Sequence, residues 1–217
     1  MALSCLFVSQ ATSNLYLLTI KPKLLDKDVR LDYKTTIITG ASLGLGLEAT
    51  KEMAARGLAR VILGVRNIQK GEAAREEILS QSPGIQVLVW LIDEFLLFRK
   101  RAAKLDRLDP VILNADVENV DYLQSKMGHE SHIQVPSLVN FVGNGTSKLL
   151  NVPWMRELSA RTIKLEMHIL INTANPGFRA SSLHKADPTA SKAIKLLAWT
   201  AVQGGRCLTD AATLHGD

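Results

Sequence analysis

The chain has 217 residues, 47% of them hydrophobic and 22% charged, which suffices for one domain with a sizeable buried core. Its 26 Lys and Arg against 21 Asp and Glu leave a net charge of +5, spread along the sequence, so a nucleic-acid-binding face has no support. Two cysteines at opposite ends, Cys5 and Cys207, exclude a disulfide framework and a cysteine metal site and fit a reducing compartment, the cytosol.

The first twenty residues are apolar, but Ser9, Gln10, Thr12, Ser13 and Asn14 interrupt them and no Lys or Arg precedes Lys21. That is a poor signal peptide and a poor spanning helix, so no firm membrane signal is read, and residues 1–34 are expected to form a leader packing on a domain from 35 to 217. Thr35 to Thr39 (TTIIT) is a β-branched run ending at Gly40, a buried strand followed by a glycine-spaced turn. From Gly46 to Arg56, Leu47, Ala49, Thr50, Met53 and Ala54 recur at helical spacing, and Gly57 supplies the stop. A strand over Arg60 to Val65, a helix over Lys70 to Gln81 and a strand over Ile85 to Ile92 repeat the pattern, and Val111 to Leu113 makes a fourth, short strand. Alternation of this kind predicts an α/β fold, a doubly wound parallel sheet of Rossmann type. Further on, the pattern predicts a strand over Ser137 to Val142, a helix over Lys148 to Arg161, a strand over Met167 to Thr173 and a final helix over Thr189 to Gln203.

Between the first strand and the first helix stands Thr39-Gly40-Ala41-Ser42-Leu43-Gly44-Leu45-Gly46. Glycines there let the backbone approach a pyrophosphate, and the free N–H groups and dipole of the helix N-terminus meet its charge, so Gly40, Ser42, Leu43, Gly44 and Gly46 are candidate dinucleotide-binding positions. About twenty residues beyond Gly46, where NAD binders place an acid on the ribose 2′-hydroxyl, this chain has Arg66 and Asn67. A guanidinium pairs with a 2′-phosphate through its planar fork, which favours NADP (NADPH) over NAD. The five histidines show no ligand spacing, and Trp90, Trp154 and Trp199 fit core or helix faces better than a stacking platform.

These segments together resemble the short-chain dehydrogenase/reductase family, more narrowly its fungal secondary-metabolism-like branch related to retinol dehydrogenases. TGASLGLGLEAT is similar to the family's nucleotide turn, VILGVRN to its second strand and WLID to its third, with Asp93 in the place that contacts adenine. LDRLDPVILNADV resembles the segment in which Asn114 stabilises the central sheet beside the cofactor. GTSKLLN is similar to the helix that carries the catalytic lysine, here Lys148, which in the family holds the nicotinamide ribose and lowers the tyrosine pKa. In NTANPGF and the residues after it, Pro176, Gly177 and Ser181 match the loop that covers the nicotinamide. The resemblance implies an NADP-dependent oxidoreductase acting on a ketone or secondary alcohol of a small substrate.

The resemblance fails where the proton is handled. The tyrosine position four residues before Lys148 is Asn144, whose amide neither gains nor loses a proton near neutral pH, and no serine stands at the family's position. About thirty positions separate Asn114 from Asn144, too few for the family's long central helix and a full strand, so the central region is shortened. Pro136 takes the place of the asparagine that anchors a relay water in relatives, and Asp116 replaces a glycine beside the cofactor. Pro153 sits inside the helix that builds the dimer interface in relatives, weakening the expectation of a homodimer. Two readings therefore stand: an oxidoreductase in which another group passes the proton, and a catalytically inactive relic that binds the cofactor or a protein partner.

Overall fold

The computed structural model describes residues 25–26, 28–92, 95–115, 148–164, 171, 174 and 198–213. In chain order these form β1 (Thr35–Thr39), α1 (Gly44–Ala55), β2 (Arg60–Val65), α2 (Ile68–Gln81), β3 (Gln86–Leu91), α3 (Phe95–Ala102), β4 (Val111–Leu113), α4 (Lys148–Lys164) and α5 (Ala201–Thr213). The four strands make one sheet in the order β3-β2-β1-β4, and every pairing in it is parallel. The α/β Rossmann-type architecture expected from the alternation is the one observed.

All five residues of β1 are buried, as a central parallel strand covered on both faces requires. The register sorts the apolar residues into two layers. Ile38, Val61, Leu63, Val65, Val87 and Ile112 meet Leu47 and Met53 of α1 and Ala74 and Ile78 of α2 on one face. Ile37, Ile62 and Trp90 meet Phe98 of α3 on the other, with the Trp90 and Phe98 rings edge to face at 5.8 Å. Fully burying one such aliphatic side chain contributes about 1.5–3 kcal/mol, so the first layer, with the larger set, dominates the stability of the described core. Lys51 ties its two helices together through Glu48 (2.9 Å) on α1 and Glu77 (2.6 Å) on α2. Burial opposes the Lys51 charge, but the hydrogen bonds to Glu77 and Glu48 outweigh it and hold the ammonium above its ordinary pKa.

The residues before β1 are held by the end of α1. Leu25 and Leu31 are buried. The Arg56 guanidinium donates to the carbonyls of Asp26 (2.8 Å), Val29 (3.4 Å) and Leu25 (3.4 Å) while Glu52 fixes it from below at 2.8 Å.

Four helices depart from the expected pattern. Helices α1 and α2 each begin two residues early, the second because the Asn67 side-chain oxygen accepts the Lys70 N–H and caps it at 2.9 Å. Helix α3 had no counterpart: eight residues written as FLLF and RKR blocks are too short to show a period, and the helix rests on Phe98 packing and on cations in its last turn. The final helix does not run to Gln203. Ala198–Thr200 is non-helical and α5 starts at Ala201, because Thr200 and Gln203 form a reciprocal cap: the Thr200 hydroxyl accepts the Gln203 N–H (3.3 Å) and the Gln203 side chain accepts the Thr200 N–H (3.0 Å). Helix α5 then lies against α1 at Gly205, where an added Cβ would stand 2.7 Å from the Ala49 nitrogen. Helix α4 runs through Pro153. The expected strand over 137–142, the expected strand over 167–173 apart from Ile171, and the span 189–197 lie outside the described residues.

Candidate nucleotide site at the switch between strands β1 and β4

From β1 the chain builds outward in one direction through β2 and β3, then returns to the other side of β1 for β4. The carboxyl ends of β1 and β4 therefore flank the switch in strand order, where open α/β sheets bind their ligands. The glycine turn leaves β1 at this point.

Gly40 has φ +67° and its N–H donates to the Gly64 carbonyl at 2.8 Å, so the turn is pinned to β2 as it leaves β1. A Cβ on Gly40 would meet the Ala115 Cα at 2.8 Å, and one on Gly46 would meet both the Asn114 Nδ2 and the Gly40 carbonyl oxygen at 2.6 Å. Both positions are closed to any side chain. Gly44, at φ +61°, differs: nothing lies within 4 Å of an added Cβ. The tight glycines fold the turn, while Gly44 leaves open space at the first residue of α1.

Asn114 locks β4 onto that turn. Its side-chain amide donates to the carbonyls of Thr39 (3.2 Å) and Gly40 (3.4 Å), and the N–H groups of Asn114 and Ala115 both donate to the Thr39 hydroxyl at 3.0 Å. Thr39 was not among the expected site residues. The signal for it was a hydroxyl on the last residue of a buried strand, which needs a partner there. Leu43, exposed at the N-cap of α1, has no acceptor to offer the first-turn N–H groups, and that turn contains no acidic residue. Ser42 is half-buried beside it. An anion placed at this end would meet unopposed positive potential.

Arg66 follows the last residue of β2, two positions beyond the Gly64 carbonyl that holds Gly40. It is exposed and forms no ion pair among the described residues, whereas Arg30, Arg56, Arg60, Arg75, Arg107 and Arg161 each pair with a carboxylate. Gly40, Ser42, Leu43, Gly44, Gly46, Asn114 and Arg66 are thus carried on neighbouring carboxyl ends of β1, β2 and β4. Lys148 is the first residue of α4; its side chain, together with Asp93, Asp116, Asn144, Pro176, Gly177 and Ser181, lies outside what the structure describes. Among the described residues no group of His, Cys, Asp and Glu side chains could hold a metal ion, and no helix is long and apolar enough to cross a membrane.

The chain is 43% identical to the short chain dehydrogenase sol3 of Alternaria solani over 264 aligned positions that cover 92% of each protein. It belongs to the short-chain dehydrogenase/reductase family. No family model matches it. A second fungal member of this family, the short-chain dehydrogenase fogG of Aspergillus ruber, is 39% identical over 127 residues, covering 55% of this chain and 36% of its own. In fold, the short-chain dehydrogenase/reductase architecture recurs in a short chain dehydrogenase from Burkholderia cenocepacia solved in complex with NADP, with a TM-score of 0.65 at 16% identity over 86% of this chain and 93% of that one. The alignment with sol3 also measures what this family member lacks. Since 92% of 217 residues is about 200, about 64 of the 264 aligned positions face gaps in this chain.

Proposed function

We propose that this chain binds NADPH at the β1 turn and is an NADP-dependent oxidoreductase whose substrate is a small ketone or secondary alcohol. The observation that carries the cofactor choice is the exposed Arg66, without an ion pair among the described residues, just past β2 in the place where an acid would select NAD. The turn fits a pyrophosphate: Gly44 leaves room at the first residue of α1, and Leu43 supplies no competing acceptor to its N–H groups. Asn114 holds that turn against β4 from behind, so the free face is the one toward the strand ends.

When bound, the nicotinamide supplies the hydride chemistry of the family. The residues of this chain bind and orient it: Arg66 takes the 2′-phosphate, the Gly40–Gly46 turn takes the pyrophosphate, and Lys148, by family resemblance, takes the nicotinamide ribose. The proton remains to be supplied, since Asn144 at the tyrosine position cannot give one.

Asn144 favours a second reading, a family member that holds the cofactor without turning over a substrate. The short span between Asn114 and Asn144 supports it, because by family resemblance that span would carry the family's serine. Fluorescence titration of the purified chain with NADPH and NADH tests the shared part. A charge-assisted hydrogen bond contributes about 1.5–3 kcal/mol, so Arg66→Ala is expected to weaken NADPH about 10- to 100-fold and leave NADH unchanged. Equal loss for both cofactors, or none, removes the assignment of Arg66. Turnover of NADPH with a panel of ketones then separates the two readings.

A further inference from the structure

Part of the +5 net charge stands close together on α3 and just beyond it. Arg99, Lys100, Arg101 and Lys104, on α3 and just beyond it, are all exposed and form no ion pair among the described residues. Elsewhere Arg30, Lys51, Arg60 and Arg107 each have a carboxylate partner. The helix dipole explains cations in the last turn of α3. It explains neither Lys104, which lies past the helix, nor Leu97, which is 52% exposed one turn before Lys100 and Arg101. Leu97, Lys100 and Arg101 follow at i, i+3 and i+4 on α3 and so share one stripe, and exposed Lys104 follows directly after the helix. Arg101 is also steadied, its guanidinium seated 4.3 Å over the Trp90 ring.

We propose that this stripe of α3 docks on an anionic lipid bilayer, the cations meeting headgroup phosphates and carboxylates while Leu97 enters the interface. An acidic polypeptide would satisfy the cations but gives an exposed leucine among them no apolar layer to enter; a bilayer surface satisfies both. The mode is attachment to a surface and needs no spanning segment. It is independent of the cofactor site, since α3 packs on the sheet face opposite α1.

Co-sedimentation of the full chain with phosphatidylcholine vesicles, with and without phosphatidylserine, tests it. Binding is expected only with phosphatidylserine and is expected to fall with added salt. Each lysine near an anionic surface strengthens attachment about fivefold, so Lys100→Gln/Lys104→Gln is expected to lower it about 25-fold and Lys100→Glu/Lys104→Glu further. Leu97→Ser is expected to lower it several-fold at unchanged charge. All three substitutions are at exposed positions, and unchanged melting curves verify that the variants fold. Equal binding to neutral vesicles, binding indifferent to the lysine pair, or no binding at all overturns the proposal. So does retention on polyglutamate without retention on vesicles, which would give the stripe to an acidic polypeptide.

Discussion

The turn after β1 and the segment leading into α4 serve one site in this family, and they differ in what has been kept. At the turn, Gly40 and Gly46 occupy positions where any Cβ would collide with Ala115, Asn114 or the turn itself, and Thr39 and Asn114 fasten the turn to β4. At the start of α4, Lys148 matches the family's lysine by resemblance, but the residue four before it is an amide. Sterics enforce the first region, because losing a glycine there misfolds the sheet end that also carries the core. The second is enforced only by chemistry. An asparagine in place of a phenol breaks no packing rule, so it can be lost while the fold survives.

The comparison is tested most strongly at Asn144. If proton supply is what the catalytic half lacks, Asn144→Tyr is expected to raise kcat/KM for NADPH-dependent ketone reduction about a hundredfold, the low end of what a positioned general acid contributes. An unchanged rate would place the deficit in the missing stretch between Asn114 and Asn144 instead.

The nucleotide half is tested by Gly46→Ala. Overpacking against a backbone oxygen at 2.6 Å is expected to destabilise the chain by about 1–3 kcal/mol and to abolish NADPH binding. Gly44→Ala, with open space around its Cβ and only the positive φ to bear, is expected to cost about 1 kcal/mol in the same melting assay. Equal effects from the two glycines would break the distinction between the tightly packed Gly46 and Gly44, which has open space around it.

These contrasts mark how far the residues alone could be followed. The boundaries of β1, β2 and β4 and the strand-turn-helix order were readable because buried parallel strands are continuous apolar runs and Gly40 ends the first abruptly. The turn was readable because its backbone geometry restricts residue type. Thr39 was missed because its hydroxyl serves N–H groups 75 and 76 residues away, a pairing with no local trace. Helix α3 was missed because eight residues carry no period, and the start of α5 because the Thr200–Gln203 cap was hidden inside an unbroken helical pattern.

A smaller effect lies at the base of β1, opposite the end proposed to bind the nucleotide. The Asp109 carboxylate accepts the Thr35 N–H at 2.8 Å and pairs with Arg107 at 2.7 Å. The Arg107 hydrogen bond, aided by the Thr35 N–H and opposed by burial, holds Asp109 below its ordinary pKa. A carboxyl whose pKa is depressed on folding adds stability above its unfolded pKa, near 3.9, and that increment is lost as the pH falls through the folded value. Arg107 is half exposed, so screening keeps the increment to about 1 kcal/mol. Asp109→Asn is expected to lower the melting temperature at pH 7 and to flatten its fall in acid below about pH 4. An unaltered acid limb would mean that Asp109 does not link the base of β1 to pH.

The smallest expected change goes the other way. Thr36 is fully buried in β1, and its hydroxyl has no hydrogen-bond partner among the described residues, whereas Thr39 at the other end of the same strand has two. A buried hydroxyl left unpaired costs about 1–3 kcal/mol against an apolar group of the same shape. Valine preserves that shape and the β-branching that suits a strand. Thr36→Val is therefore expected to stabilise the chain by about 1 kcal/mol, with NADPH affinity unchanged, while Thr39→Val destabilises it and loosens the turn. If Thr36→Val destabilises the protein in a denaturant titration, the hydroxyl has a partner in solution, and the two ends of β1 are not as different as their hydrogen bonds make them.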